Sequence, residues 1–392
     1  MSSRWLVSAR FDLAFFVAPA ALSFALLWFS PAALFERDDL PVWIWFALIP
    51  LIDVSHVYAS LYRTYFDARE LARRPVLYGA VPAVVFVVGT IVYAVDALIF
   101  WRALAYLAVW HFVRQQYGFL ALYRRRAGEN ARWEGRFDAC VLYLAMLYPL
   151  LYWHTHLPRR FVWFVDGDFL AIPAAEVSTA AGWLYGLLAA AYVFKEIGKR
   201  ARAVAISPGK SLVLLTTAAT WYGGIVLFDS DYAFTLTNVV SHGVPYVALV
   251  WITLRRRCTA ATAAPGLRWI SRPRAIVAFV GVLVALALVE EALWDVLVWG
   301  DHPTVFGGRN HALGLIDSPF LAFVVALLAL PQATHYVLDG FIWRTNAANA
   351  DVRRLVLGLS QDFVETPAAL LVRTAPARAS PSVDPSREAA CS

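Results

Sequence analysis

Long apolar stretches alternate with short polar segments along most of the chain. A helix needs about 20 mostly apolar residues to cross the hydrocarbon core of a bilayer. Stretches that approach or reach this length are 11–30, 41–62, 76–97, 100–122, 137–153, 178–195, 211–228, 232–254, 275–294 and 317–340. Charges and helix breakers interrupt them, as in Arg73-Arg74-Pro75. The pattern predicts an all-α fold, a polytopic transmembrane helical bundle of about ten helices.

The lysines and arginines predict how this bundle is oriented. Most of them lie near the amino terminus, after the second, fourth, sixth and eighth stretches, or beyond the tenth. By the positive-inside rule, both termini are then cytoplasmic. We expect a multi-pass protein of the cytoplasmic (inner) membrane, with an integral domain over residues 1–340.

Two further segments follow the predicted membrane domain. Residues 341–372 are expected to form an amphipathic helix on the cytoplasmic face. Residues 373–392 are rich in Ala, Pro, Ser and charge, and are expected to be disordered.

Composition and charge exclude several other classes of protein. Hydrophobic residues make up 60% of the chain and charged residues 16%, which is far from a soluble domain. The net charge of +6 is explained by basic residues at the membrane edges, so no nucleic-acid partner is expected. Three cysteines without a CxxC pattern predict neither a disulfide framework nor a zinc knuckle.

Four of the predicted spans carry polar residues in pairs, three or four positions apart. This spacing places both members of a pair on one helix face. The pairs are Asp53 with His56, His111 with Gln115, Asn238 with His242, and His335 with Asp339. All four spans run in the same predicted direction, and at about 1.5 Å per residue the histidines fall within roughly 10 Å of one another in depth. Because ionisable groups are costly inside a membrane, this shared layer predicts a functional site.

The residue types in this layer favour a metal. Imidazole suits iron, zinc, copper and nickel, and carboxylates add hard oxygen ligands. Inward-facing pairs on several helices are a recurrent way to build metal sites in bundles. The expected ligands are the four histidines with Asp53 and Asp339 as terminal or bridging ligands. Six strong ligands favour two ions, with iron as the leading metal and zinc as the alternative.

Several neighbouring residues are expected to assist the metal. Gln115 and Asn238 are weaker ligands that orient the imidazoles. Arg114, which follows His111 on the same span, and Tyr336 join the two aspartates as candidate catalytic residues. Arg114 is expected to pair with one of these aspartates or with an anionic lipid head group.

The type of site resembles that of integral-membrane non-haem iron oxidases, desaturases and oxygenases, which gather histidines near the cytoplasmic ends of membrane helices. The resemblance covers the site alone, because the HxxxH and HxxHH boxes of fatty-acid desaturases are absent. In style it is more similar to the carotene-cleaving membrane oxygenases, which spread single histidines over several helices. It also resembles the intramembrane zinc amidases, which use three His and one Asp but have seven helices.

The leading expectation is a membrane-embedded, di-iron oxidase, oxygenase or desaturase that acts on a lipid or another lipophilic substrate. Its electrons would come from a separate cytoplasmic donor, because no GxGxxG fingerprint is present. The first alternative is an intramembrane zinc hydrolase of lipid amides or esters. A proton- or cation-coupled transporter is the second. A haem site and a structural polar network also stay open.

Overall fold

The structure is a computed structural model that describes residues 5–204, 206–259, 264–272, 274–307, 320–346 and 349–357. These residues form helices joined by turns and irregular segments, and none of them forms a strand. The long helices, in chain order, are α1 (Ala9–Phe29), α2 (Val42–Arg63), α3 (Pro75–Val95), α4 (Ala97–Ala127), α5 (Arg132–Thr155), α6 (Ala175–Ala201), α7 (Pro208–Leu227), α8 (Asp231–Thr259) and α9 (Ala275–Trp299). They are followed by α10, a bent pair (Leu321–Leu328 and Leu330–Ile342), and by α11 (Ala350–Leu357). The predicted all-α bundle is confirmed.

Within the described residues, eight helices are long and apolar enough to cross a membrane. The bent pair α10 brings the number to nine if it is one span. These helices confirm a multi-pass membrane protein. The fifth predicted stretch, 137–153, lies in α5, which is not among those nine. The count of ten and the cytoplasmic position of the termini stay predictions.

Local sequence signals determine where several helices begin and end. The Asp96 side chain accepts hydrogen bonds from the backbone N–H groups of Leu98 and Ile99, which caps the start of α4. This helix ends at Gly128, whose φ of 74° lies in the left-handed region that favours glycine. Helix α7 begins after Ser207, whose hydroxyl accepts from the Lys210 N–H, with proline at the first helical position.

Three of the helices that carry polar pairs are irregular close to those pairs. In α2 a π-helical segment, Ile49–Val54, precedes His56 and contains Pro50. Helix α10 bends by 43° at Ala329, just before Pro331, which has no N–H to continue the hydrogen-bond ladder. Helix α8 contains Pro245 three residues after His242. Such irregular turns are frequent at functional sites because they redirect side chains.

A buried ionic network joins the ends of α4 to α7. The Lys210 ammonium has no exposed surface and lies 2.9 Å from Glu129, 3.2 Å from Asp138 and 2.9 Å from Glu196. Lys195 also pairs with Asp138. Each buried charge in this network is therefore compensated, which such a position requires.

Helix α11 packs on the bundle through the buried Val352 and Leu355 and through an ion pair of 2.7 Å between Arg63 and Asp351. Burial disfavours the Asp351 carboxylate, but the Arg63 and Arg257 charges outweigh that effect and hold its pKa below the ordinary value. Helix α11 lies within the segment 341–372 predicted as one surface helix, whereas Phe341 and Ile342 belong to α10 and residues 343–346 are not helical. Residues 358–372 and the tail predicted over 373–392 lie outside the described residues.

Candidate metal centre

The four membrane histidines, which come from four different helices, lie in one cluster. Their side chains are at most 2% exposed. The ring centres are 4.5 Å apart for His111 and His335, 4.6 Å for His56 and His242, and 6.3 Å for His56 and His111. The ring centres of His111 and His242 are 5.0 Å apart, and those of His56 and His335 are 5.1 Å apart. The structure thus brings together the histidines that the sequence places at a common depth.

The ring nitrogens face a shared space. The Nε2 atoms of His56 and His242 are 3.1 Å apart. His56, His111 and His335 each offer a nitrogen within 4.8 Å of the other two. Nε2 of His111 and both ring nitrogens of His335 are buried and have no hydrogen-bond partner. Buried polar atoms are normally paired, so these unpaired nitrogens are available as ligands.

The two predicted aspartates lie beside the Nδ1 atoms of the rings. Asp53 is 3.6 Å from Nδ1 of His56. Asp339 lies between two histidines, 3.7 Å from Nδ1 of His335 and 4.0 Å from Nδ1 of His111. Carboxylates commonly orient metal-binding histidines from this side. The arrangement favours Nε2 as the metal-binding atom, with the aspartates behind the rings.

Tyr246 is the neighbour that the sequence reasoning missed. Its hydroxyl donates a 2.7 Å hydrogen bond to Oδ1 of Asp339, and the residue is 1% exposed. The signal was present, because Tyr246 follows His242 by four residues and so lies on the same face of α8. Tyr336 was considered as a site residue from the sequence, and Tyr246 was not.

The predicted amides support the cluster without entering it. The Gln115 side chain donates to the backbone carbonyl of His242 at 2.9 Å. Asn238 donates to the backbone carbonyl of Phe234 at 3.1 Å. Phe112 stacks on the His242 ring at 3.5 Å with the planes only 6° apart, which fixes the orientation of that imidazole.

The two remaining predicted site residues differ in position. Tyr336 is buried and stacks on His111 with ring centres 4.8 Å apart. Arg114 is not brought to the cluster: it is exposed, donates to the Tyr143 hydroxyl at 2.5 Å and lies over the Tyr117 ring. The predicted pairing of Arg114 with Asp53 or Asp339 is therefore absent from the contacts described for these residues.

Two described histidines outside the predicted pairs make their contacts elsewhere. His302 stacks on Trp45 at 3.7 Å, and His154 bonds the Tyr106 hydroxyl at 2.9 Å. His311 lies outside the described residues.

The ring separations resemble those expected around one ion, and His56, His111 and His335 also place nitrogens within 4.8 Å of one another. A metal–nitrogen bond of about 2.1 Å places adjacent ligand nitrogens about 3.0–3.4 Å apart. With about 1.1 Å more to each ring centre, adjacent rings are expected about 4.5–5.2 Å apart and opposite rings about 6.4 Å apart. The 3.1 Å between nitrogens and the separations of 4.5–5.1 Å match adjacent ligands. The 6.3 Å between His56 and His111 matches opposite ones.

Comparisons with protein-family models, with curated proteins and with solved structures found no match to this chain.

Proposed function

We propose that this chain is a membrane-embedded, metal-dependent oxidoreductase that holds iron through His56, His111, His242 and His335 and acts on a lipophilic substrate. The observation that carries the proposal is the convergence of four buried imidazoles: His56, His111 and His335 place nitrogens within 4.8 Å of one another, and Nε2 of His242 lies 3.1 Å from Nε2 of His56. Orphaned ring nitrogens are costly in a membrane interior unless an electrophile binds them.

A single ion replaces the two that the ligand count favoured. Two ions were favoured because both aspartates were counted as ligands. Asp53 and Asp339 lie at the Nδ1 side of the histidines, so four nitrogen ligands remain. Four neutral imidazoles suit a divalent transition metal that keeps positions open for other ligands.

The ligand set favours oxidation over hydrolysis. A hydrolytic zinc site needs a free carboxylate as general base near the metal-bound water. Both carboxylates lie on the Nδ1 side of the rings: Asp53 is 3.6 Å from His56, and Asp339 accepts from the Tyr246 hydroxyl and faces two imidazoles. Iron held by imidazoles supplies dioxygen activation when bound. The close packing of the rings also leaves no flat space for a haem among them.

The surroundings favour a substrate that arrives from the bilayer. The histidines are almost fully buried, whereas the Asp53 side chain is 27% exposed. Asp53 therefore marks the side from which the cluster is reached. We propose that electrons come from a separate cytoplasmic donor.

Metal content tests the proposal. Protein purified in detergent is analysed by mass spectrometry for iron, zinc, copper and nickel, together with its absorption spectrum. His335→Ala is the variant, and His154→Ala, which removes a histidine outside the cluster, is the matched control. We expect about one iron per chain in the wild type and the control, and its loss in the variant.

Each other result has a defined meaning. About one zinc ion per chain would favour the zinc hydrolase over the oxidase. A Soret band would indicate haem. Folded protein without tightly bound metal would refute the proposal and favour a transporter. Equal metal content in the wild type and in His335→Ala would show that the cluster is not the metal-binding site.

A further inference from the structure

A second polar region lies beside the histidine cluster, between α7 and α8. A small cavity there, with room for about one water molecule, is lined by side chains from α1, α4, α7 and α8. Its polar walls are Gln116, Thr216, Thr217, Thr220 and Ser241. Hydroxyl and amide groups around a cavity inside a membrane bundle require partners that lipid cannot supply.

The cavity walls offer more acceptors than donors. Thr217 donates to Gln116 Oε1 at 3.0 Å and Thr220 donates to the backbone carbonyl of Thr216 at 2.9 Å, so both hydroxyls have already used their protons. Their oxygen lone pairs remain available to accept. An occupant of this cavity can therefore donate hydrogen bonds to these oxygens and accept one from the unpartnered Ser241 hydroxyl.

Helix α8 adds further acceptors on the same face. Pro245 has no N–H, so the α-helical hydrogen bond to the Ser241 carbonyl cannot form. The Ser241 hydroxyl is buried without a partner.

From these observations we infer that the cavity between α7 and α8 is a buried water site. Water is the occupant that fits, because it is small and donates two hydrogen bonds. A sodium ion would also meet acceptor oxygens, but no carboxylate lines this cavity to compensate its charge.

The position of the site gives it a role. Ser241 precedes His242, and Gln115 joins the His242 backbone to α4. The water site thus lies next to a cluster whose own surroundings are dry. It supplies exchangeable protons to the reaction at the cluster. This role rests on the proposed function, whereas the binding of water does not.

Radiolytic labelling tests the site in the full chain. The protein is reconstituted in lipid nanodiscs and exposed to a short X-ray pulse in ¹⁸O-water, and oxygen incorporation is mapped by mass spectrometry. Phe119 and Pro245 line the cavity and report on bound water. Phe279, which is 0% exposed and distant from the cavity lining, reports the background.

The test variant is the double substitution Thr217→Val and Thr220→Val, which keeps the side-chain volume and removes two hydroxyls. Its matched control is Thr90→Val on α3, where the hydroxyl bonds its own helix carbonyl. We expect labelling at Phe119 and Pro245 in the wild type and the control, and its loss in the double variant, since an apolar cavity of this size stays dry.

Three results would overturn the inference. The first is labelling of Phe119 and Pro245 no greater than that of Phe279 in folded wild-type protein. Labelling that persists in the double variant would show that the hydroxyls of Thr217 and Thr220 do not hold the water. Labelling that disappears when sodium replaces choline in the buffer would identify a cation as the occupant.

His335→Ala separates the two proposals. The water site does not use this residue, so labelling is expected to persist in the variant whether or not metal is lost. Metal loss with persistent labelling supports both proposals. Persistent labelling in a chain that never binds metal would refute the proposed function and leave the water site standing.

Discussion

Removing the Tyr246 hydroxyl should weaken metal binding without changing a ligand. Tyr246→Phe keeps the ring and deletes the 2.7 Å hydrogen bond to Asp339, the carboxylate that lies behind His111 and His335. A hydrogen bond to a charged group contributes about 1.5–3 kcal/mol. Loss of a partner behind a metal ligand typically costs about 10–100-fold in metal affinity, which is about 1.4–2.7 kcal/mol. The two ranges agree, so we expect a 10–100-fold increase in the metal dissociation constant.

Competition with a chelator measures this change. Purified protein is titrated with a chelator of known affinity, and the metal that remains bound is counted at each step. Tyr62→Phe is the matched control, because Tyr62 is 2% exposed and packs against Phe279, apart from the histidines. Unchanged affinity in Tyr246→Phe, or an equal loss in Tyr62→Phe, would refute the positioning role of Tyr246.

Four further predictions concern the metal, the Lys210 network, the Arg63–Asp351 ion pair and Arg114. Metal removal by chelation should lower the thermal unfolding temperature of the wild type, because orphaned buried nitrogens cost about 1–3 kcal/mol each; an unchanged temperature after verified metal loss would contradict this. Lys210→Met should destabilise the fold by up to about 3–5 kcal/mol, measured by denaturant unfolding in detergent, because it removes the cation shared by three buried carboxylates, which keep only their pairs with Arg124, Lys195 and Lys199. Since the pKa of Asp351 is lowered in the fold, its contribution is present above its ordinary pKa and lost as the pH falls through the lowered value. Hydrogen exchange should therefore show α11 protected at neutral pH and released in strong acid, and Asp351→Asn, which removes the charge that pairs with Arg63, should weaken that protection at neutral pH. Arg114→Gln should leave metal content unchanged, and loss of metal would mean that Arg114 acts on the cluster.

The periodicity of the sequence was sufficient to predict the helices and the common layer of histidines. Apolar length predicts spans, and a spacing of three or four predicts a shared face, so His335 and Asp339 fall together without knowledge of the fold. The helix period could not predict which ring atom a carboxylate faces. That depends on side-chain rotamers and on local distortions such as the π segment before His56.

Arg114 shows a second limit of predicting side-chain positions from the helix periodicity. It follows His111 by three residues, and Gln115 follows by four, so both lie close to the histidine face. The long arginine side chain instead reaches Tyr143 and the Tyr117 ring at the outer side of the helix. A charged side chain near the edge of a helix face turns towards the nearest polar partner, which depends on the neighbouring helix and not on its own.

Helix α8 explains why a metal centre and a water site can lie so close together. His242 and Tyr246, four residues apart, face the cluster and Asp339. Ser241 and Pro245, also four residues apart, face the cavity on the α7 side. Ser241 and Pro245 precede His242 and Tyr246 by one residue, which is a rotation of about 100° around the helix axis. One helix therefore presents ligands on a dry face and hydrogen-bonding groups on a polar face, and Pro245 provides a backbone acceptor between them.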